Sequence, residues 1–386
     1  MSAAGSPGGT PTGIAPIGVA VVGCGTVSEE YLPNLTSFPD LNVLFCADLD
    51  LARAEDQAAK YGVGACGSLA QALAHPGVEL VVNLTLPVAH AEVASAAIAA
   101  GKHVWNEKPL TTDPGTGRDL LAQAAAAGVR LGCAPDTVLG AGLQTARRLI
   151  ADGAIGAPQT ALTLMQSPGP ESWHPSPEFL FQSGAGPLFD LGPYYFSTLA
   201  TIFGPARRVA AVGRRAAATR VIGSGPKAGR QFPVDVPTHV GALVEYAGGG
   251  AASVLFSFDS PLPRHGLVEI TGTEGTMALP DPNRFDGDIR LYRGCGDRGD
   301  AGGGDGWETI PSSGASAGRG LGPLDLARRL RGGQPPRASG ELAEHVLEVM
   351  VAVQASLEGA AFEPIDSDFV IPPPLPEEWD PYARTL

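Results

Sequence analysis

The stretch "VAVVGCGTVSEEYL", residues 19–32, places a run of apolar residues directly before two closely spaced glycines. A short β-branched run is typical of a buried strand, and the segment after the glycines has the character of a helix. Gly23, Gly25 and Ser28 form the pattern Gly-x-Gly-x-x-Ser, which departs from Gly-x-Gly-x-x-Gly/Ala at its third small residue. Glycines at such a turn let the backbone approach a pyrophosphate at the helix N-terminus. The stretch therefore predicts a dinucleotide-binding turn.

The next strand-like run, "LNVLFCADLD", ends on acidic side chains. Asp48 lies 23 residues beyond Gly25, near the spacing of about 20 residues at which an acidic residue bonds the adenosine ribose. A carboxylate at this place disfavours a 2′-phosphate, so the sequence predicts NAD as the cofactor, with NADP as the alternative. Asp50 is a rival candidate for the ribose contact, and an exposed strand end without a ligand is the simpler interpretation.

Strand-like and helix-like segments alternate regularly from residue 14 to residue 136. Continuous apolar strands between helices are typical of a parallel sheet that is covered on both faces. We therefore expect an α/β, doubly wound dinucleotide-binding domain over residues 16–136. The preceding residues 1–15 are rich in Gly, Pro and Ser and are predicted to be a flexible tail.

After residue 136, the regular alternation of strand-like and helix-like segments ends. Runs of β character are separated by the turn signals "YAGGG" and "GTEG", which are typical of hairpins. The pattern predicts an α+β domain over residues 137–386, with a mostly antiparallel sheet and a few helices. The glycine-rich segment 294–306 is predicted to be a mobile hairpin loop, and the stretch from Gly340 to Gly359 an amphipathic helix.

Composition narrows the classes of partner. The formal net charge of -14 argues against nucleic acid or an anionic membrane surface as a partner. No apolar run is long enough for a transmembrane helix, and the N-terminus lacks the pattern of a signal peptide. The five cysteines show no Cys-x-x-Cys pair and no metal-ligand spacing, so we expect reduced thiols, a cytoplasmic location and no metal site.

A second stretch, "HVWNEKPLTTD" at residues 103–113, puts charge at the end of an apolar strand. Lys108 is one of only four lysines among 26 basic residues, so arginine is the usual cation in this chain. Lysine differs from arginine because it can lose its proton near neutral pH when its pKa is lowered. A functional role for Lys108 is one interpretation, and a surface lysine in a turn is the simpler one.

Five segments in order, "VVGCGTVS", "ADLD", "LTLPVAH", "GKHVWNEKPL" and "GAGPLFDLGPYYF", resemble the Gfo/Idh/MocA family of oxidoreductases. The resemblance covers nearly the whole chain, and "EKP" with the later Asp-x-Gly-x-Tyr is its most specific part. It implies a Rossmann domain followed by a domain with a large open sheet, which commonly forms the dimer contact. A homodimer or homotetramer through the C-terminal sheet is therefore expected, together with NAD(P)-dependent oxidation or reduction of a sugar, cyclitol or related polyol or ketone.

The resemblance also implies roles for particular residues. Lys108 would lie near the nicotinamide and the substrate hydroxyl, and Glu107 would orient it. Asp190 and Tyr194 would complete the reacting site, although Tyr194 stands where inositol-dehydrogenase-like members have histidine. The cofactor would contact Gly23, Gly25, Thr26, Val27, Asp48, Leu86, Pro87, His90, Glu107 and Lys108.

Alcohol oxidation needs a hydride acceptor and a base for the hydroxyl proton. Free lysine and tyrosine side chains both titrate at a pH of about 10, and a nearby positive charge lowers that value. A Lys108–Tyr194 pair meets the requirement without a metal, and which of the two takes the proton is open. If Gly192-Pro193 starts a helix, Asp190 and Tyr194 lie near one edge of it.

Several alternatives remain at this point. Tyr195 is a second candidate proton donor, His174 on a proline-rich loop is a candidate for the substrate pocket, and both tyrosines also suit a core. Asp190 also suits a helix cap. An NAD-dependent glycosidase that oxidises its sugar transiently, or a non-catalytic cofactor-binding regulator, would fit the same resemblance.

Overall fold

A computed structural model describes residues 15–293 and 306–386 of the chain. Residues 1–14 of the predicted flexible tail lie outside the described residues, and so do residues 294–305 of the predicted glycine-rich hairpin loop.

The first sheet is parallel throughout and follows the N-terminal half of the described chain. Its strands are β1 (Ile17–Val22), β2 (Leu41–Ala47), β3 (Ala65–Gly67), β4 (Leu80–Asn83), β5 (His103–Asn106) and β6 (Leu131–Cys133). They lie in the order β3-β2-β1-β4-β5-β6. The order reverses between β1 and β4, and ligands of such sheets bind at the carboxyl ends of the strands beside this reversal.

Helices cover both faces of this sheet, which confirms the predicted doubly wound arrangement. They are α1 (Ser28–Leu35), α2 (Leu51–Tyr61), α3 (Leu69–Ala74), α4 (His90–Ala99) and α5 (Pro114–Ala127). Buried side chains of α1 and α2 belong to the hydrophobic core on one face, and those of α3, α4 and α5 belong to the core on the other.

The second sheet has nine described strands in the order β16-β15-β14-β13-β7-β12-β11-β8-β17. Its strands are β7 (Pro158–Gln166), β8 (Ala206–Arg214), β11 (His239–Tyr246), β12 (Ala251–Ser257), β13 (Arg264–Gly272), β14 (Thr276–Leu279), β15 (Ile289–Tyr292), β16 (Glu308–Ile310) and β17 (Glu363–Pro364). A separate hairpin is formed by β9 (Thr219–Val221) and β10 (Gln231–Pro233). Among these pairings only β7 with β12 is parallel, so the predicted mostly antiparallel sheet is confirmed.

Two long helices pack on one face of the second sheet. The helices of this half are α6 (Ala141–Ala151), α7 (Gly186–Phe203), α8 (Leu321–Arg331) and α9 (Gly340–Gly359). Short 3-10 helices occur at Pro87–Ala89, Asp136–Leu139, Pro170–Ser172 and Glu178–Phe181. Buried side chains of α7 and α9 share one core with the sheet, and α9 has the bounds predicted from the sequence. None of the described helices is both long and apolar enough to cross a bilayer.

The helix that carries Asp190 does not start at Gly192-Pro193. It begins at Gly186, and Pro187 occupies its first turn, where a proline fits because the nitrogen needs no hydrogen to donate. Pro193 lies inside the helix and cannot donate the usual main-chain hydrogen bond. The hydrogen-bond ladder is therefore interrupted in the turn that contains Asp190.

The C-terminal part of the chain returns to the first sheet. Side chains of α8, together with Leu375 and Leu386, belong to the hydrophobic core on the α1 face of that sheet. Leu386 donates its main-chain N–H to the buried carboxylate of Asp40, which precedes β2, at 2.9 Å. The last residues therefore tie the two sheets together, and the division into residues 16–136 and 137–386 stays a prediction.

Candidate active site

The glycine turn after β1 is shaped for close approach by a ligand. Gly23 has a φ of 94°, and a Cβ there would lie 2.7 Å from the carbonyl carbon of Leu84, so only glycine fits. A Cβ on Gly25 would meet no described atom within 4 Å, which leaves open space above the turn. Ser28 is fully buried and donates its hydroxyl to the Gly25 carbonyl at 2.6 Å. The serine at the third position is thus accommodated inside the turn.

The acidic residue after β2 belongs to the same turn. One carboxylate oxygen of Asp48 accepts the main-chain N–H of Cys24 at 2.7 Å, and the other accepts that of Asp50 at 2.9 Å. Asp50 instead caps α2, because its own carboxylate accepts the N–H of Ala52 at 3.2 Å. Asp48 is therefore the carboxylate placed against the glycine turn, where Thr26 and Val27 are exposed.

The turn after β4 carries three residues that were predicted to contact the cofactor, of which two are exposed and one is buried. Leu86 is 73% exposed and Pro87 is also exposed. His90 is fully buried, with Nδ1 2.7 Å from the Pro109 carbonyl oxygen and Nε2 3.0 Å from that of Thr85. Burial lowers the pKa of His90, and the two carbonyl contacts oppose that effect. The ring ties the β4 turn to the loop that follows Lys108.

Two buried amides, absent from the sequence-based predictions, hold the ends of β4 and β5 together. Asn83 Nδ2 donates to Asn106 Oδ1 at 2.9 Å, and Asn106 Nδ2 donates to the Leu110 carbonyl at 3.2 Å. Both side chains are fully buried, so leaving either amide unpaired would be costly. They fix the backbone on both sides of Lys108.

Lys108 and Asp190 meet although they lie far apart in the sequence. Lys108 Nζ donates to the Asp190 carbonyl oxygen at 2.9 Å and to its Oδ1 at 3.1 Å. The two side chains are 19% and 31% exposed. An ammonium group has three hydrogens to donate, and the contacts with described residues use two of them, so one remains for a ligand.

The electrostatic surroundings keep Lys108 charged. Burial lowers the pKa of Lys108, but Asp190, Tyr194 and Glu107 together outweigh burial and raise that pKa above its ordinary value. The ammonium also lies 5.4 Å from the centre of the Tyr194 ring. Without other groups in the site, Lys108 is a hydrogen-bond donor rather than a base.

The Glu107 carboxylate, next to Lys108 in the sequence, accepts hydrogen bonds from two donors. The Tyr31 hydroxyl donates to Oε1 at 2.6 Å, and the Lys108 main-chain N–H donates to Oε2 at 2.9 Å. Burial, with the nearby Asp136 and Glu107 carboxylates, raises the pKa of the Tyr31 phenol well above its ordinary value. Tyr31 lies in α1, so it links the helix of the glycine turn to the loop of Lys108.

Tyr194 contacts Arg319, which no sequence pattern marks as a site residue. Arg319 Nη2 donates to the Tyr194 hydroxyl oxygen at 3.0 Å, and Arg319 Nη1 lies 3.4 Å from Asp136 and 3.9 Å from Glu107. Burial raises the pKa of Asp136 to about 6, although Arg319 and the N–H of Gly320 oppose the rise. No local motif marks Arg319 or Asp136, because the contacts form only in the folded chain.

Two predicted site residues make other contacts. Tyr195 is buried, accepts the Gly266 N–H at 2.9 Å and packs edge-on against Phe256. His174 accepts the Ser176 N–H at 3.0 Å and makes edge-on ring contacts with Trp173 and Phe179. The described hydrogen bonds of these two side chains do not connect them with Lys108, and their roles toward a substrate stay predictions.

The arrangement combines an anion-receptive turn with a donor, a carboxylate and a phenol at the carboxyl ends of parallel strands. Among the described residues, no group of three or more His, Cys, Asp or Glu is placed to hold a metal ion. The open space at Gly25, the exposed turn after it and the placement of Asp48 fit a dinucleotide. The fold and site together define the class as dinucleotide-dependent oxidoreductases.

Comparison with known proteins gives the family. Residues 17–134 match the model of an oxidoreductase family with an NAD-binding Rossmann fold, and residues 143–278 match the GFO/IDH/MocA C-terminal domain. The chain belongs to the GFO/IDH/MocA family of oxidoreductases. The predicted family, the oxidoreductase activity and NAD as cofactor are thereby confirmed.

Named relatives and solved structures agree with this membership. Trans-1,2-dihydrobenzene-1,2-diol dehydrogenase of Mus musculus is 29% identical over 269 residues, which cover 67% of this chain and 73% of that protein. An NAD binding oxidoreductase from Klebsiella pneumoniae has a TM-score of 0.78 at 24% identity, covering 92% of this chain and 100% of the other. Levoglucosan dehydrogenase, in complex with NADH and L-sorbose, has a TM-score of 0.78 at 19% identity with the same coverage. The two structures show the same fold.

Proposed function

We propose that the protein transfers a hydride between NAD and a hydroxyl-bearing carbon of a sugar, cyclitol or related polyol. The observation that carries the proposal is the meeting of Lys108, Asp190 and Tyr194. Lys108 follows β5 of the parallel sheet whose first strand, β1, leads into the glycine turn. The names of the relatives support the substrate class, since one acts on a 1,2-diol and a structural neighbour is a levoglucosan dehydrogenase in complex with L-sorbose.

The roles follow from donors and charges. Bound NAD would lie on Gly23–Val27 and Asp48 and would supply the hydride acceptor at its nicotinamide ring. Lys108 donates its remaining hydrogen to the substrate oxygen, because the surrounding negative groups keep it charged. Tyr194 exchanges the hydroxyl proton with the substrate. His90 is buried under the cofactor turn and positions that turn from below.

Asp190 favours a substrate with two neighbouring hydroxyl groups. Its Oδ1 accepts from Lys108, whereas no described side chain or main-chain group donates to its Oδ2. A partly exposed carboxylate oxygen beside the reacting position is suited to accept a hydroxyl on the adjacent carbon. The site is therefore expected to prefer vicinal diols, which sugars and cyclitols contain.

A matched pair of substrates tests the proposal. Turnover of trans-1,2-cyclohexanediol and of cyclohexanol with NAD is followed by NADH absorbance, alongside a panel of sugars and inositols. We expect kcat/KM to favour the diol by at least about tenfold, since a hydrogen bond to a charged group contributes about 1.5–3 kcal/mol. Equal rates for diol and alcohol would contradict the role of Asp190. Bound NAD without NADH formation on any of these compounds would refute the proposed reaction.

The preference for NAD over NADP is predicted to depend on Asp48. In the Asp48→Ser variant, we expect the ratio of kcat/KM for NAD to that for NADP to fall about tenfold or more, because a carboxylate that bonds the ribose and repels a 2′-phosphate is lost. Asp50→Ser is the matched control, since Asp50 caps α2 and pairs with the exposed Arg53 at 3.4 Å. Serine caps a helix about as well as aspartate, so this variant should alter neither the fold nor the ratio. An equal fall in both variants would contradict the assignment.

The outer face of the second sheet is proposed to join two copies of the chain. Leu243 faces Ala210 on one side and Ser253 on the other, and Ser253 faces Leu162. Leu162 and Leu243 are 50% and 54% exposed, so this row of small and apolar side chains crosses four strands in contact with water. An apolar sheet face of this kind is typical of an interaction surface.

We expect Leu243→Glu to convert the assembly to monomers in sedimentation or light-scattering measurements, because charges would face each other across the contact. Val370→Glu is the control, since Val370 is 91% exposed but lies outside the sheet. A wild-type monomer at micromolar concentration, or an unchanged mass in Leu243→Glu, would contradict the proposed interface.

A further inference from the structure

We propose that Arg319 is a positioning residue that sets the direction and the charge of the Tyr194 hydroxyl during proton transfer. The inference rests on the proposed role of Tyr194 as the group that exchanges the substrate proton. Arg319 acts through Tyr194, and no contact between Arg319 and the substrate is required.

Arg319 contacts the phenol oxygen of Tyr194 rather than the face of its ring. Arg319 Nη2 lies 3.0 Å from the Tyr194 hydroxyl oxygen, whereas its guanidinium carbon is 5.9 Å from the ring centre. Lys108 approaches the same tyrosine differently, with its ammonium 5.4 Å from the ring centre and hydrogen bonds to Asp190. Arg319 therefore binds the Tyr194 hydroxyl, whereas Lys108 binds Asp190.

Hydrogen-bond chemistry fixes the direction of the phenol. A guanidinium group carries only donors, and a tyrosine hydroxyl has a single hydrogen. The Tyr194 oxygen must accept from Arg319, so its own hydrogen is directed elsewhere and is free to bond a substrate oxygen. In the oxidising direction, the substrate hydroxyl gives its proton to the Tyr194 phenolate while the hydride on the same carbon leaves for NAD. In the reducing direction, Tyr194 returns the proton to the new alkoxide.

The phenolate form carries a negative charge that needs a partner. The side chains of Tyr194 and Arg319 are mostly buried, and a cation 3.0 Å from the oxygen stabilises that charge more strongly there than in bulk water. Oriented donors of this kind need no rearrangement at the moment of reaction. Arg319 is therefore already in place to stabilise the Tyr194 phenolate when proton transfer forms it.

Arg319 is held in place at both ends. Its main-chain carbonyl accepts Asn34 Nδ2 at 2.7 Å, and its guanidinium lies 3.4 Å from Asp136. Asp136 in turn accepts the N–H of Gly320 at 2.7 Å. Burial lowers the pKa of Arg319. The two tyrosines Tyr194 and Tyr31 and the carboxylates of Asp136 and Glu107 outweigh burial and raise that pKa above its ordinary value. The side chain is thus a fixed, permanent cation.

The surroundings of Arg319 permit a chemical rescue experiment. Arg319 lines an open cavity of about 810 Å³ between α1 and the segment 312–319. Guanidinium ions from solution can therefore reach the space that an Arg319→Ala variant leaves. Arg284 lines the same cavity and is exposed, which makes Arg284→Ala a matched control.

With the best polyol of the panel, we expect kcat of Arg319→Ala to fall about 100-fold, the effect of removing one oriented donor to a developing oxyanion. KM should change by less than about threefold, because the contact matters mainly in the transition state. Arg319→Lys should recover part of kcat, and added guanidinium should restore kcat of Arg319→Ala, whereas Arg284→Ala should match wild type throughout.

A measurement without turnover separates this inference from the proposed function. The phenolate absorbance of Tyr194 is obtained as the difference between a protein and its Tyr194→Phe counterpart. We expect this absorbance to rise at higher pH in Arg319→Ala than in wild type. If the wild type oxidises no polyol, the proposed function fails while the absorbance still decides the role of Arg319. An unchanged absorbance curve in a folded, NAD-binding Arg319→Ala protein would overturn the inference.

Discussion

A Lys108→Met variant is expected to lose about a thousandfold in kcat with NAD and its best polyol, which lies at the upper end of the range for removing one oriented donor to a developing oxyanion. Methionine keeps much of the length of the side chain but cannot donate to the substrate oxygen or to Asp190. The variant also leaves the partly buried Asp190 carboxylate without its cation. Both losses act on the reacting atoms, so kcat falls rather than KM alone.

A lysine outside the site provides the control for Lys108. Lys227 pairs with Glu178 at 2.9 Å and is 41% exposed, so Lys227→Met should keep kcat within about twofold because surface pairs contribute little. NAD binding by Lys108→Met, measured by calorimetry, should persist, since the glycine turn is untouched. A Lys108→Met protein that keeps more than a tenth of wild-type kcat would remove Lys108 from the proposed chemistry.

The parts of the fold that were predictable depend on short segments. The glycine turn, Asp48 and the alternation of strands and helices are local patterns whose spacing follows from strand and helix geometry. The choice between Asp48 and Asp50 was not local, because it depends on which carboxylate turns toward Cys24 and which caps α2. That choice is visible only once the turn is folded.

Two contacts of the site join segments that are distant in the sequence, and only the first was foreseen. Lys108 and Asp190 come together across 82 residues, and Arg319 reaches Tyr194 across 125. The first pair was foreseen only through the family resemblance, because no spacing rule connects the two positions. Arg319 follows a stretch of small residues and precedes α8 without a pattern of its own. Its role comes from the return of the C-terminal chain to the first sheet.

The same return of the chain makes Asp40 the site of the largest expected loss of stability. Asp40 is fully buried and accepts Arg328 Nε at 2.8 Å, the Thr385 hydroxyl at 2.8 Å and the Leu386 N–H at 2.9 Å. An asparagine keeps one acceptor oxygen but turns its amide hydrogens toward the donors on the other side, and it leaves the buried Arg328 without a counter-charge. We expect Asp40→Asn to lower the free energy of unfolding by about 3–5 kcal/mol in urea titrations.

The matched control is a partly exposed ion pair made by another arginine of α8, the helix that carries Arg328. Arg331 of α8 pairs with Glu79 at 2.9 Å, with side chains 29% and 39% exposed, so Glu79→Gln should cost less than about 1 kcal/mol. The double variant Asp40→Asn with Arg328→Met should recover part of the loss, because it removes the unpaired buried charge. Similar losses from Asp40→Asn and Glu79→Gln would contradict the special place of Asp40.

The pH dependence gives a separate test of the same contact. Burial raises the pKa of Asp40, but the bonds from Leu386, Thr385 and Arg328 outweigh burial and leave that pKa below its ordinary value of 3.8. The carboxylate therefore stabilises the fold above pH 3.8, and this contribution is lost as the pH falls through the lowered value. Asp40→Asn has no such proton to gain, so its difference from wild type should shrink in acid. A constant difference between the two proteins down to acid unfolding would show that Asp40 stabilises the C-terminal attachment by packing and not by charge.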